Sequence, residues 1–443
     1  MPPPELLIQT TYAELVERAG AAAFSEAFAE EGAFIAKTVK GRRYWYFQLP
    51  TEGDRAQRYV GPETPELLER IERHRDARSD QKERQALVSA LVRFGMPRAP
   101  PGVGRVVDLL AKAGAFRVRA VLVGTIAYQT YSAMLGSKLP SALLHTGDID
   151  IAQFASTSSA IEDRTIDVRE TLQSRGQKFR DVPKPIRGVP ATSYQTERGD
   201  LRVDFLAPNE GPDTDQPVFL PALQTYAQPL RFLDFLIREA EPGILLHDAG
   251  VYVTVPAPER YALHKLIVAQ RRTSGKRDKD LRQADALLKV LVEKRPGELL
   301  AAWDEAAGRG EKWIRLLVDG LGQIGQEARD LTLRALNMKR SAIPGLTLAF
   351  HNPAPRHVLD RDVVAFLGEA NADVVQCEIS CEALDDHFEA GGLPPQGPVE
   401  RFLRNRSAIE AMARIAYVER PVQRPGTILL DSTTVAELNR KPR

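Results

Sequence analysis

The sequence predicts an α+β protein of several domains, and three observations carry that reading. The chain has 443 residues, with 43% hydrophobic and 27% charged. That is room for about three domains of ~150 residues and apolar surface for more than one core, which excludes disorder along its whole length. Short β-rich runs alternate with stretches of helical periodicity from residue 106 onward. Lys and Arg total 60 against 59 Asp and Glu, a formal charge of +1. This excludes a uniformly basic nucleic-acid coat while leaving room for local patches. Cys377 and Cys381 cannot make a disulfide framework, and read as two buried thiols in a reducing compartment. The opening residues lack a basic stretch followed by an apolar core, and apolar runs such as 120–123 and 266–269 are far below the ~20 residues of a spanning helix. The expectation is a cytoplasmic protein without a membrane segment.

Four segments follow in order. Residues 1–98 read as an extension: a helix over 10–31, with Val16, Ala19, Ala23, Phe24, Ala27 and Phe28 at helical spacing, then a strand over 37–50, a turn at 51–54, a strand over 55–60 and a charged helix over 65–94. The Pro/Gly-rich stretch 96–104 reads as a linker. Residues 99–240 alternate helix (106–113), strand (118–123), helix (126–135) and strands (148–153, 201–206). Residues 241–340 read as helical, with one basic face over 259–291. Residues 341–443 read as a small α+β tail, with strands at 346–350, 363–367, 374–379 and 427–430 and helices at 381–389 and 398–415.

The chemistry concentrates in the second segment. An apolar strand ends in Gly124-Thr125, a helix follows, and then come Thr146, Asp148 and Asp150 in a strand and Asp204 amid apolar neighbours in another. Alternate residues of a strand share a face, so Asp148 and Asp150 point the same way. Three carboxylates on neighbouring strands repel unless cations neutralise them, a role that suits Mg²⁺ with phosphate oxygens completing its shell. Gly124 allows close backbone approach, and the following helix N-terminus offers N–H groups to phosphate. Asp-x-Asp alone carries little weight, because it recurs at 213/215, 278/280 and 360/362.

The ordered set resembles the signature of the nucleotidyltransferase superfamily, with its polymerase-β-like mixed-sheet core, and within it the bacterial toxin-type and uncharacterised branch. The resemblance covers roughly residues 100–335. It implies a helical second domain completing the nucleotide site, two Mg²⁺ ions held by Asp148, Asp150 and Asp204, and an NTP whose phosphates meet Gly124, Thr125 and Lys265. Asp204 is the residue implied to accept the acceptor's proton or to hold the metal that acidifies it. Arg272 and Lys279 would help neutralise the phosphates, with Asp280 and Asp285 ordering this basic wall. A solvated charged helix is the alternative for Arg272 and Lys279. The family more often shows Gly-Gly or Gly-Ser where this chain has Gly124-Thr125, and residues 137–145 read as an inserted loop beside the site, with His145 a loop residue. The implied reaction transfers a nucleoside monophosphate to an acceptor hydroxyl on an RNA end, a protein or a small molecule, with pyrophosphate leaving. The tail from Phe350 to Leu430 resembles a small bacterial domain of unknown function, an oligomerisation or partner module in one reading.

Between Lys37 and Arg58, Lys40, Arg42 and Arg43 are interleaved with Tyr44, Trp45 and Tyr46. Cations and ring faces together make a surface for unstacked bases. The same residues also fit a hairpin pinned to the core by Trp45 and Phe47 with its arginines in water. The rival for the whole chain is a non-catalytic nucleotide-sensing or nucleic-acid-binding regulator on the same core.

Overall fold

An apolar stripe on α1 (Pro4–Ala23) begins the first layer of packing. Ile8, Tyr12, Leu15 and Ala19 of α1 are buried together with Val88, Leu91, Met96, Ala133, Ile244 and Leu246. Between α1 and the next helix lies a three-stranded antiparallel sheet, β1 (Ala33–Val39), β2 (Arg42–Gln48) and β3 (Gln57–Pro62). The 29-residue α2 (Pro65–Arg93) starts where the Thr64 hydroxyl accepts from the Leu67 N–H, with Pro65 in the first turn. Arg18 ties the two helices by pairing with Asp80 at 3.1 Å and Glu83 at 2.5 Å. In this computed structural model the described residues are 4–23, 33–39, 42–48, 57–140, 147–160, 165–174, 178–186, 188–351, 354–388 and 397–440. Phe24, Ala27 and Phe28 of the expected first helix, Lys40, the turn at 51–54, His145 and Thr146 lie outside them.

Trp45 takes up the second of its two expected placements, against the core. It is only 5% exposed and packs with Leu67 and Ile71. Its indole N–H donates to Glu63 at 3.0 Å, and Arg43, on the exposed side, reaches the same carboxylate at 3.5 Å. The Arg43 and Arg75 guanidinium groups lie over the indole, 5.8 and 6.0 Å from its centroid.

The main sheet follows. After α3 (Pro101–Ala113) come β4 (Val121–Val123), α4 (Gly124–Met134) and β5 (Asp148–Ala152). The short α5 (Ala155–Ala160) and α6 (Val168–Gln173) lead to β6 (Phe179–Asp181), β7 (Ser193–Thr196) and β8 (Arg202–Pro208). β9 (Val218–Leu220), β10 (Thr225–Leu230) and α7 (Leu233–Ile237) complete it. The order is β4-β5-β8-β10-β9, with β5, β8 and β10 parallel and β4 antiparallel to β5. β7 pairs with the first half of β8 and β10 with its second half, so β8 is the central strand. The hairpin β11 (Ala240–Leu245) and β12 (Val251–Pro256) packs against α4 and β4. All of this forms one unit, Met1–Ala257; the other is Pro258–Arg443.

In the second unit, α8 (Pro258–Ala269) is buried on every side, its charged residues included. Each charge is paired: Glu259 with Arg295 at 2.7 Å, Arg260 with Glu305, and Lys265 with Asp280 at 2.5 Å. A helix apolar on only part of its surface is buried all round because its polar side meets partners from its neighbours. Those neighbours are α9 (Ser274–Lys294), α10 (Pro296–Ala307), α11 (Glu311–Gly322) and α12 (Gln326–Ala335). The tail adds a sheet ordered β13 (Arg356–Val358), β14 (Val363–Ala370), β15 (Asp373–Ser380) and β16 (Thr427–Leu430). β14 turns into β15 through Asn371 and Ala372, both at positive φ, the conformation a two-residue hairpin needs. Helices α13 (Cys381–His387), α14 (Pro398–Arg404), α15 (Arg406–Glu419) and α16 (Ser432–Arg440) accompany it. A cavity of about 490 Å³ opens beside Arg277, Gln323, Arg329 and Asp373. The chain is thus α+β throughout. No described helix is long and apolar enough to cross a membrane.

The most buried ion pair of this unit is Arg340 with Asp330, 3% and 0% exposed. The guanidinium bonds both carboxylate oxygens, at 2.9 and 2.7 Å, and donates to the Tyr417 carbonyl at 3.3 Å. The Gly426 N–H donates to the same Asp330 at 3.0 Å. Asp330→Ala strands a buried guanidinium and is expected to cost about 3–5 kcal/mol, read as a fall in the urea-unfolding midpoint.

Candidate active site

Parallel pairing of β5 with β8 sets the site. Asp148 lies opposite Arg202 and Asp150 opposite Asp204. Because alternate residues of a strand share a face, these four side chains form a two-by-two array on one side of the sheet. The apolar residues between them, Ile149, Ile151, Val203 and Phe205, are buried on the other face. Asp148 is exposed, while Asp150 and Asp204 are half-buried. The expected strands at 148–153 and 201–206 thus appear with the expected faces.

Gly124 closes the array from the side of β4. Val123, its neighbour, pairs with Asp150, and Gly124 opens α4 at φ +67°. A Cβ at this position would stand 2.0 Å from Asp150 Oδ2. The backbone therefore touches the carboxylate directly, a fit that only glycine permits. Thr125 follows in the first turn of α4, half-buried. α4 is held firmly beneath them: residues 126–133 are buried, and the Tyr131 hydroxyl donates to the Pro256 carbonyl at 2.9 Å. Gly147, just before Asp148, is likewise close-packed, since a Cβ there would meet the Asp200 carbonyl at 2.5 Å.

Two further side chains bind Asp204. Ser193 on β7 lies directly across from Asp204 and donates a short hydrogen bond to its Oδ1. Arg202 Nε reaches the same oxygen at 2.8 Å, and its Nη2 donates to the Ser193 hydroxyl at 3.0 Å. Arg202 was legible in principle, two residues from Asp204 on one strand face. Ser193 was not, because the four-residue β7 has no periodic signal. Both bonds fall on Oδ1, so Oδ2 of Asp204 has no hydrogen-bond partner among the described residues. With Asp204 turned toward β7, the donor oxygens of the three carboxylates do not all lie within 4.8 Å of one another. The donor set is nonetheless all oxygen and all carboxylate, the kind that suits a hard divalent cation.

The expected phosphate contacts of the second unit are placed as follows. Lys265 is 9% exposed at its side chain and ion-paired with Asp280, its ammonium also 5.1 Å from the Tyr261 ring. Arg272, 41% exposed, bonds the other oxygen of Asp280 at 2.7 Å. Lys279 is half-buried on α9. Asp280 thus orders two of the three cations, as expected, whereas Asp285 pairs with Lys289 at 3.5 Å. Between them, burial and then Lys265 and Arg272 push the His264 imidazole well below its usual range, so it is neutral at physiological pH.

These features sit inside a recognisable domain. Residues 102–308 match a nucleotidyltransferase family model. The match takes in Gly124, the three aspartates, Ser193 and Arg202, and supports nucleotidyl transfer as the general activity of this segment. It also covers α8 and α9, with Lys265, Arg272 and Lys279. Residues 348–430 match a second family, described as a protein of unknown function, DUF1488. No curated protein and no solved structure matches the chain.

Gly124→Ala tests the tight contact. The substitution places a Cβ on Asp150 and forces a left-handed backbone that costs about 1–2 kcal/mol for an L-residue. The expected outcome is a lower thermal midpoint with an unchanged circular dichroism spectrum.

Proposed function

We propose that the nucleotidyltransferase domain is a Mg²⁺-dependent enzyme of the EC 2.7.7 type, acting in the cytoplasm. It would move a nucleoside monophosphate from an NTP to an acceptor hydroxyl, on an RNA end, a protein or a small molecule, with release of pyrophosphate. The observation that carries this reading is the carboxylate array sealed by Gly124. Two acidic strands in parallel register, with a glycine backbone against the inner carboxylate, set three carboxylates on one accessible sheet face, where a hard divalent cation would neutralise them.

Divalent cations bound at Asp148 and Asp150 would supply the positive charge that an NTP needs and acidify the acceptor hydroxyl. Asp148, exposed, and Asp150, held by Gly124, present their oxygens on one sheet face. Backbone N–H groups in the first turn of α4, with the Thr125 hydroxyl, would receive phosphate oxygens. Asp204 presents Oδ2 for the acceptor's proton or for a cation, while Ser193 and Arg202 fix its orientation through Oδ1. In-line attack on the α-phosphorus then depends on positioning and charge rather than on a covalent enzyme intermediate.

One observation favours a second reading, a nucleotide-sensing regulator: Arg202 already neutralises Asp204 without any added cation. Incubation with each labelled NTP, Mg²⁺ and cell extract separates the two. The enzyme reading expects label transferred by wild type and lowered more than about 100-fold in Asp148→Asn/Asp150→Asn. NTP binding without transfer in wild type would instead establish the sensor.

Replacing Arg202 with Met provides a further check. Removing Arg202's positive charge leaves Asp204's carboxylate without its counter-charge, so Mn²⁺ used as a probe is expected to bind more tightly, by about 3- to 10-fold, in a calorimetric titration.

A further inference from the structure

The DUF1488-matched segment contains a second cluster of ligating side chains, unrelated to the carboxylate array. His357 ends up on β13, Asp362 in the turn between β13 and β14, and Cys381 at the start of α13. Their donor atoms all lie within 4.8 Å of one another. His357 Nε2 is 3.4 Å from Asp362 Oδ1 and 3.5 Å from Cys381 Sγ.

We propose that His357, Asp362 and Cys381 form a binding site for a borderline divalent cation of the Zn²⁺ class, with one coordination position left open. The separations of His357 Nε2 from Asp362 Oδ1 and from Cys381 Sγ are those of a tetrahedron's edges. Bond lengths of ~2.0–2.1 Å to nitrogen and oxygen and ~2.3 Å to sulfur place neighbouring ligands about 3.3–3.6 Å apart. The donor set, one imidazole, one thiolate and one carboxylate, suits zinc better than magnesium or calcium.

The alternative for such a trio is a nucleophilic relay, and the geometry argues against it. A relay needs the carboxylate and the thiol on opposite nitrogens of the imidazole, so that one orients the ring while the other gives up its proton. Here both approach the same nitrogen, Nε2. Three donors that converge on one point describe a ligand shell rather than a chain. Cys381 would bind a cation as its thiolate, so uptake of the metal would release one proton to solvent.

The backbone around the cluster is already fixed. The Cys381 N–H donates to the Asp362 carbonyl at 2.9 Å. Asp362 holds the left-handed conformation at φ +49°, unusual for a residue other than glycine. Ser380 caps α13 by accepting from the Ala383 N–H at 3.0 Å, and Arg361 in the same turn pairs with Glu378 of β15 at 2.7 Å. The other cysteine takes no part: Cys377 is wholly buried in β15.

The test uses the full chain after treatment with a chelator. Zn²⁺ is titrated in competition with a chromophoric chelator, and Co²⁺ serves as a spectroscopic probe. One equivalent of Zn²⁺ is expected, with a thiolate-to-cobalt charge-transfer band that disappears in Cys381→Ser. His357→Ala and Cys381→Ser should each weaken Zn²⁺ by more than about 100-fold, while Asp148→Asn/Asp150→Asn binds as wild type does. In wild type itself, Zn²⁺ but not Mg²⁺ should slow alkylation of Cys381 by iodoacetamide, a readout that needs no variant. Absence of a bound equivalent, a cobalt spectrum without the thiolate band, or an alkylation rate indifferent to Zn²⁺ would overturn the site.

Discussion

Two carboxylates set side by side on neighbouring strands repel one another, and much of the first unit is organised around tolerating that repulsion. Strands stand ~4.8 Å apart, a spacing at which two unit charges cost about 3 kcal/mol at an effective dielectric near 20. Asp150 and Asp204 occupy such positions. Arg202 and Ser193 attach to Asp204, and the open backbone of Gly124 meets Asp150. α4 and the hairpin β11–β12 then hold Gly124 in place. Asp148 is exposed and Asp150 and Asp204 are half-buried, so the array faces solvent, where a cation or an anion with its counter-ion can reach it.

The second unit treats charge differently. In α8, Glu259, Arg260 and Lys265 are buried and matched to partners from α9 and α10 and to Arg295 between them, so the charge is consumed within the protein. Arg272 shares Asp280 with Lys265 but stays 41% exposed, and is thus the cation of that pair able to meet an outside anion. The nearly equal totals of acid and base across the chain therefore combine two regimes: pairs that cancel in place, and an array whose negative charge is only partly cancelled.

How much of this was readable beforehand depends on the length of each signal. The 29-residue α2, the apolar strand before Gly124, the Asp148–Asp150 strand and β16 all announce themselves through periodicity and flanking residues. β6, β7 and β13 have three or four residues each and no room for a pattern, so Ser193 and His357 came without context. The two cysteines read as one pair because they are four apart, but a strand-to-helix junction separates them and gives them different surroundings. Trp45 fits a core or a binding face by sequence alone, because nothing in its neighbourhood of the chain encodes the packing of Leu67 and Ile71 against it.

The Arg340–Asp330 pair has a consequence for how this chain can be divided. The two family matches end at 308 and begin at 348, which leaves a stretch that neither claims. Asp330 and Arg340 belong to that stretch, while the Tyr417 and Gly426 groups they bind belong to the DUF1488 match. Arg329, 1% exposed at its side chain, reaches Asp373 in the same way at 3.5 Å. The unclaimed residues are thus a floor on which the tail rests. A fragment cut at the start of the tail would carry away a sheet whose polar anchors stayed behind, so the natural module begins at α12 or earlier.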